Sequence, residues 1–363
     1  MNAPAIPRNK THYVASYVLL MLMFIISACS GGEGEATPEI TPDMVEATPT
    51  HVPYMVVDSI DTDSTLFRVA WSPDGEKIAV ATSNGVFIYT MADLLAPPIH
   101  LDEHDGDVPA VAWSPTLEQL ITGGRDTLVR SWNTRSGGFL LRFEGHTDDV
   151  LDLTWSPDSE RIASASWDGT VRVWDFASSE LLATLEEPED VVSSVAWSPD
   201  GLWLAAGSYD DKIYIWDATG WQQSQNIDGV IVRDTTTWNL KQVLPGHEGN
   251  VNAIAWASDS VTLASAGEDD IVRTWNTSTG EMLQAYHGHE ADVNDVAWSP
   301  GNSMLVSGGA DNTVRVWRAE DGEIIREMNG QADNVVSVDW SVTGLLAVGS
   351  QDGHVHFWTM PGG

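Results

Sequence analysis

Tryptophan, through its spacing, restricts this fold more than any other residue. Trp71, Trp113, Trp155, Trp197, Trp256, Trp298 and Trp340 each sit in an Ala-Trp-Ser-Pro-like signature, at intervals of 42, 42, 42, 59, 42 and 42 residues. A second aromatic follows each of them: Tyr89, Trp132, Trp174, Trp216, Trp275, Trp317 and Trp358. The two series absorb thirteen of the seventeen tryptophans, so tryptophan here serves architecture. A fixed period of about 42 residues describes a chain of equivalent supersecondary units, each burying its faces on its neighbours.

One unit reads as four short strands. Val150–Ser156 is the first, and Ser-Pro-Asp-Ser at 156–159 forms a tight turn, with proline where φ near −65° is wanted. Arg161–Ser166 is the second strand; Asp168 and Gly169 turn the chain into Val171–Asp175, and Leu181–Leu185 supplies the fourth. Continuous β-branched and aromatic runs predict strands covered on both faces, as when small sheets stack radially.

These residues resemble the WD40 family. Gly-His recurs at 145–146, 246–247 and 288–289, Trp-Asp at 174–175 and 216–217, and Asp-Gly-Thr-Val-Arg-Val-Trp fills 168–174. The resemblance covers residues 52–360 and implies an all-β, seven-bladed β-propeller with four antiparallel strands per blade. The family acts mainly as a platform for partner binding, so a protein or peptide partner is expected. The last repeat stops too early for a fourth strand, while His51–Ile60 precedes the first repeat without a blade of its own. The N-terminal segment is therefore expected to complete the C-terminal blade, removing an exposed edge.

Ser, His and Asp recur together, which raises the possibility of a catalytic triad. The resemblance implies instead a buried Asp-His-Ser/Thr-Trp network in each blade. Carried over by position, it comprises His104, Thr122, Asp126 and Trp132; His146, Ser164, Asp168 and Trp174; His247, Ser265, Asp269 and Trp275; and His289, Ser307, Asp311 and Trp317. A catalytic site is needed once, whereas this set occurs four times in phase. Its task is mutual satisfaction of buried polar groups, each lost partner costing about 1–3 kcal/mol. Blade 4 departs from the set with Pro188 and Ala206, blade 7 with Gln331 and Val348, and blade 1 with Thr62, a short Asn84-Gly85 turn and Tyr89. Blades 7 and 1 flank the closure and are expected to open first.

Function is expected where the copies differ. The residue before each second turn reads Ser83, Arg125, Trp167, Tyr209, Glu268, Ala310 and Gln351 around the ring. Arg125, Trp167 and Tyr209 are consecutive and belong to the residue types enriched at binding hot spots. With Asp107 and Asp149 nearby to accept a basic group, they form the candidate partner-binding face. The 59-residue interval places an insertion near 219–235 after the third strand of blade 4, where Val230–Val232 would extend a hairpin over Trp221, Trp238 and Trp203. His354 and His356 share one side of a strand, but no third ligand accompanies them, so no metal or other cofactor is expected. No single-copy carboxylate or histidine cluster stands out, which argues against the alternative of an enzymatic or carbohydrate-binding propeller using the central funnel.

Charge narrows the partners further. The chain carries 53 acidic and 17 basic residues, a formal net charge of −36, which repels nucleic acid and anionic headgroups. Its one cysteine, Cys29, excludes an internal disulfide. Arg8 and Lys10 precede an apolar run from Tyr13 to Ile26, too short to span a bilayer comfortably, and Ile26-Ser27-Ala28-Cys29 resembles a bacterial lipobox. Residues 1–28 are thus expected to be an export signal. Cys29 would be the lipidated first residue of an exported, membrane-anchored protein, and 29–51 a disordered Gly/Thr/Pro/Glu spacer. A monomeric propeller of the bacterial cell envelope, beginning near residue 52, is expected beyond it.

Overall fold

The computed structural model of this chain describes residues 56–219, 224–227, 230–233, 238–329 and 331–360. The expected signal, Cys29, the spacer and Trp221 lie outside the described residues. The described strands form seven four-stranded antiparallel sheets and one two-stranded hairpin. Blade 3 typifies them: β10 (Val150–Trp155), β11 (Arg161–Ser166), β12 (Val171–Asp175) and β13 (Leu181–Leu185), hydrogen-bonded in that order. These are the strands expected from the sequence, the first one residue shorter.

The ring closes as the repeat pattern predicts. The last blade consists of β28 (Val335–Trp340), β29 (Leu345–Ser350) and β30 (His354–Thr359), completed on its outer side by β1 (Val56–Asp61). Antiparallel pairing of β1 with β30 joins opposite ends of the propeller, so the closing blade has no missing strand.

The two tryptophan series do different work. Five of the seven inner-strand indoles fasten their blade to the one before it, whereas Trp197 Nε1 and Trp340 Nε1 are buried without a hydrogen-bond partner. Trp71 Nε1 donates to the carbonyl of Asp339 at 3.2 Å, Trp113 to Ala70 at 2.9 Å, Trp155 to Ala112 at 3.3 Å, and Trp256 to Ala196 and Trp298 to Ala255 at 3.1 Å each. The third-strand series, Trp132, Trp174, Trp216, Trp275 and Trp317, is fully buried inside the blades. Blades approach closely enough to select small residues: a Cβ on Gly308 would lie 2.3 Å from Val335 Cγ1 of the next blade.

The insertion lies where the long interval places it. In blade 4, β16 (Lys212–Asp217) pairs with β19 (Asn239–Pro245), and between them β17 (Ser224–Ile227) and β18 (Val230–Arg233) form the hairpin. The expected grouping of tryptophans beneath it is not what forms. Trp238 packs edge-on against Trp197, ring centroids 5.7 Å apart, in the cluster shared with blade 3. Trp203 joins the cluster of blade 5. Side chains alternate across a strand, so Trp203 and Ala205 point to one face of the sheet and Leu204 and Ala206 to the other.

Candidate functional site

Each blade holds the residue before its second turn in the same way, through a backbone bond to the chain just ahead of the inner strand. The N–H of Arg125 donates to Asp107 O at 3.0 Å, that of Trp167 to Asp149 O at 3.0 Å, and that of Tyr209 to Val191 O at 2.9 Å. Ser83, Glu268, Ala310 and Gln351 repeat it with Thr65, Asn250, Asp292 and Asn334. Seven side chains are thereby presented on one face by a scaffold that does not depend on their identity.

On blades 2 to 4 Trp167 and Tyr209 touch each other, while Arg125 turns to neighbouring carboxylates. The Arg125 guanidinium lies 3.1 Å from Asp107 Oδ2 and 3.5 Å from Asp149 Oδ2, and 5.9 Å from the centre of the Phe67 ring. Asp107 and Asp149, expected to accept a partner's basic group, are thus already engaged by the chain's own cation. Burial raises the Asp149 carboxyl above its ordinary value against the pull of Arg125. Trp167 is 49% exposed and packs edge-to-face on Tyr209, centroids 6.1 Å apart. An aromatic pair of this kind on a solvent-facing surface is a half-apolar platform.

Beneath this face the four tetrads assemble. His146 Nδ1 is 2.8 Å from Asp168 Oδ2, its Nε2 is 2.7 Å from Ser164 Oγ, and Trp174 Nε1 donates to the same Oγ at 3.0 Å. The sets built on His104, His247 and His289 repeat these contacts within 2.7–3.1 Å. In three of them an arginine is a fifth member: Arg130 donates to Asp126 at 2.6 Å, Arg273 to Asp269 at 2.6 Å, and Arg315 to Asp311 at 2.7 Å. Burial pushes the carboxyls up, but other contacts outweigh it and hold all three far below the carboxylate range: hydrogen bonds from histidine, backbone and arginine at Asp126 and Asp269, and at Asp311 the Thr313 hydroxyl first, then backbone, the His289 charge and arginine. Burial lowers all four imidazoles, with the aspartates opposing, so they are neutral structural groups. Blade 4 solves the same problem with other residues: Tyr214 Oη donates to Asp210 at 2.5 Å, and Trp216 Nε1 to Glu187 at 3.1 Å.

The central channel holds a group that sequence reasoning missed. Six of the seven inner strand pairs carry a bulge at the same register, immediately before Arg68, Asp152, Ser194, Ala253, Asp295 and Ser337. A bulge re-aims a side chain, and Arg68, Asp152, Asp295 and Asp339 line a cavity of about 240 Å3. Arg68 Nη2 meets Asp152 Oδ1 at 2.7 Å, and its Nη1 lies 3.7 Å from Asp295 Oδ1. Asp152 Oδ2 accepts from Ser194 Oγ and Val195 N, and Ser194 Oγ accepts from Ile254 N. Asp295 Oδ2 does the same with Ser337 Oγ and Val338 N, and Ser337 Oγ accepts from Val69 N. Two relays, each crossing three blades, are thus joined by one arginine. The expectation that no single-copy carboxylate cluster exists is corrected: four channel residues form one, and each copy elsewhere in the ring is small or neutral.

His354 and His356 stack 6.2 Å apart, and no group of three His, Cys, Asp or Glu among the described residues is disposed to hold a metal.

The family model for the WD domain, G-beta repeat, matches residues 96–133, 137–175, 179–217, 238–276, 280–318 and 322–359, more than half of the chain. The chain belongs to the WD40 family. Among solved structures, the WD40 beta propeller domain of Doa1 is similar at 24% identity and a TM-score of 0.73, over 86% of this chain and 98% of that one. As a WD40 propeller the protein is of a kind that serves generally as a protein-interaction scaffold. The six matched segments omit the first three strands of blade 1, the blade whose Thr62, Val80 and Tyr89 leave no tetrad.

Proposed function

We propose that this WD40 propeller is a non-enzymatic docking scaffold, tethered through Cys29 to a bacterial membrane and facing away from the cytoplasm. Its working surface is the face bearing Arg125, Trp167 and Tyr209. The observation that carries this is exposed Trp167 packed on half-buried Tyr209, with Arg125 one blade earlier, three single-copy residues on consecutive blades at positions that a repeated backbone bond presents outward. The basic start, the apolar run and the lipobox-like residues support the anchor, and an acidic body of this size is kept away from nucleic acid by repulsion.

The test is affinity capture from envelope extract with the full chain, alongside Arg125→Glu and Trp167→Ala. Loss of the same captured protein in both variants supports the surface; identical capture by all three proteins removes it. Metabolic labelling with a radioactive fatty acid tests the anchor, and label retained in Cys29→Ala would refute it.

One observation favours a second reading, an enzymatic or carbohydrate-binding propeller: the channel cluster of Arg68, Asp152, Asp295 and Asp339. Its carboxylates are engaged between blades, which weighs toward a structural role. Turnover of an offered glycan or peptide, lost in Asp152→Asn, would promote that reading.

A further inference from the structure

Next to the Trp167–Tyr209 pair, between blades 3 and 4, the same face opens into a cleft of about 420 Å3 lined by Trp167, Thr170, Pro188, Glu186, Glu189 and Asp190. The cleft lies where blade 4 lacks the tetrad histidine. Pro188 stands at that place, and Glu187 beside it, itself exposed, accepts from the Trp216 indole. The flanking carboxylates stay outside. Glu186, Glu189 and Asp190 are all exposed. Glu186 has no ion-pair or hydrogen-bond partner among the described residues. Glu189 shares Lys212 with Asp210, at 3.3 and 3.7 Å.

Trp167 supplies a different kind of attraction. Trp167 is 49% exposed, so its edge-to-face contact with Tyr209 leaves indole surface open to solvent. An indole face flanked by carboxylates favours a planar cation. The ring quadrupole and the carboxylates both attract it, and a guanidinium can stack and hydrogen-bond at once. An anionic partner would meet a surface of its own sign. The chain uses the same solution one blade earlier, where the Arg125 guanidinium bridges Asp107 and Asp149.

We propose, resting on the docking-face reading above, that the blade 3–4 cleft receives an arginine side chain from a cationic segment of the partner protein. Its guanidinium lies on Trp167 and bonds the carboxylates of Glu186, Glu189 and Asp190. Trp167 is then a contact residue rather than a cover for its own turn, and Glu189 exchanges Lys212 for the incoming cation.

The test is fluorescence anisotropy with the full chain in detergent micelles at near-physiological salt, where long-range attraction to the acidic body is screened. The probe is a labelled Gly/Ser octapeptide carrying two arginines. Its counterpart carries two citrullines, which keep the shape and remove the charge. The expected result is at least a tenfold loss of affinity on changing arginine to citrulline. Trp167→Ala, which leaves net charge unchanged, and Glu186→Gln/Glu189→Gln should each lose as much. Glu320→Gln/Glu323→Gln, the same charge change in the turn between the last two strands of blade 6, should lose less than twofold. Equal binding of both peptides overturns the proposal, as does a Glu320→Gln/Glu323→Gln loss matching that of the cleft variant, which would mean general attraction to a polyanion. If envelope capture still depends on Trp167 while the arginine probe does not, the face stands and the partner chemistry falls. If capture is independent of Trp167 and Arg125, the face itself falls.

Discussion

Arg68 of the first blade reaches across the channel to Asp152 of the third, Nη2 to Oδ1 at 2.7 Å, and turns its other nitrogen toward Asp295 of the sixth. The nearest equivalents of Arg68 around the ring are Ala110, Asp152, Ser194, Ala253, Asp295 and Ser337. One cation thus faces two carboxylates, with small residues elsewhere. Through Ser194 and Ser337 the carboxylates bind blades 4, 5, 7 and 1, so a single side chain couples six of the seven blades. A propeller whose blades touch mainly their neighbours gains from such a centre, because opening one seam then strains distant contacts.

Replacing Arg68 by methionine keeps most of its volume and leaves Asp152 and Asp295 facing each other without a cation. Removing one partner of a well-buried ion pair costs several kcal/mol, but Arg68 is partly open to channel solvent, so a loss of about 1–3 kcal/mol is expected. Urea unfolding measures it. The loss should shrink in the double variant Arg68→Met/Asp152→Asn, and a double variant no more stable than Arg68→Met would contradict the coupling.

Asp339 lies at the closing seam, where its Oδ2 accepts from the N–H of Trp71 at 2.8 Å. Burial, aided by Asp295 and opposed by the Trp71 hydrogen bond and Arg68, raises its pKa to about 7. The folded value exceeds the unfolded one near 3.8, so the folded state holds this proton more tightly. The stability it contributes is complete below about pH 4 and is lost as pH rises through 7. Asparagine still accepts from Trp71 and never ionises. Asp339→Asn should therefore match wild type near pH 4 and exceed it increasingly toward pH 8, by up to about 4 kcal/mol. Thermal unfolding across that range checks it; a constant offset would mean Asp339 does not titrate there.

The repeated features of this molecule were legible and the unique ones were not. Trp71 through Trp340 carry the blade number, and the tetrads repeat in phase, so each copy corroborates the others. The channel cluster escaped because Asp152 and Asp295 look like two more acids among 53. The bulges that turn them inward leave no mark on a strand pattern. One signal was available, since Arg68 is the lone cation three residues before an inner tryptophan. Blade 4 misled for a related reason. Its missing histidine and serine read as a loss, whereas Glu187 and Tyr214 restore the hydrogen bonds from neighbouring positions. Trp203 was assigned to the wrong layer because proximity in sequence was followed instead of strand alternation.

The four tetrad imidazoles give the opposite pH dependence to Asp339. Each is lowered by burial and stays neutral in the folded state, whereas in the unfolded chain it protonates near 6.5. Acidification below that value therefore protonates the unfolded state first and drains stability, which is recovered as pH rises again through 6.5. Histidine NMR titration should find these four rings titrating below a free imidazole. Unfolding midpoints should fall from pH 6.5 to pH 5 in wild type and fall less in His146→Gln. Four rings titrating like free imidazole would remove them from the buried network.

Blade 7 is where the chain left a tetrad incomplete, and repair tests what a tetrad contributes. Gln331 Oε1, His356 Nδ1 and Trp358 Nε1 are buried there without hydrogen-bond partners. Val348 pairs with His356 across the strands, as Ser307 pairs with Arg315 in blade 6, so a serine at 348 would stand where Ser307 serves Trp317. Asp352 already occupies the position of Asp311. Gln331→His with Val348→Ser should therefore satisfy Asp352 and Trp358 together and stabilise the ring by about 1–3 kcal/mol. Val348→Ser alone should destabilise, since it buries a hydroxyl without its full set of partners. In wild type, amides of blades 7 and 1 should exchange before those of blades 3 and 6, where the tetrads are complete. In the repaired chain the protection of blade 7 should rise toward that of blade 6. Early exchange in blade 3 or 6, or a repaired chain no more stable than Val348→Ser, would mean that the buried polar sets do not govern where this ring opens.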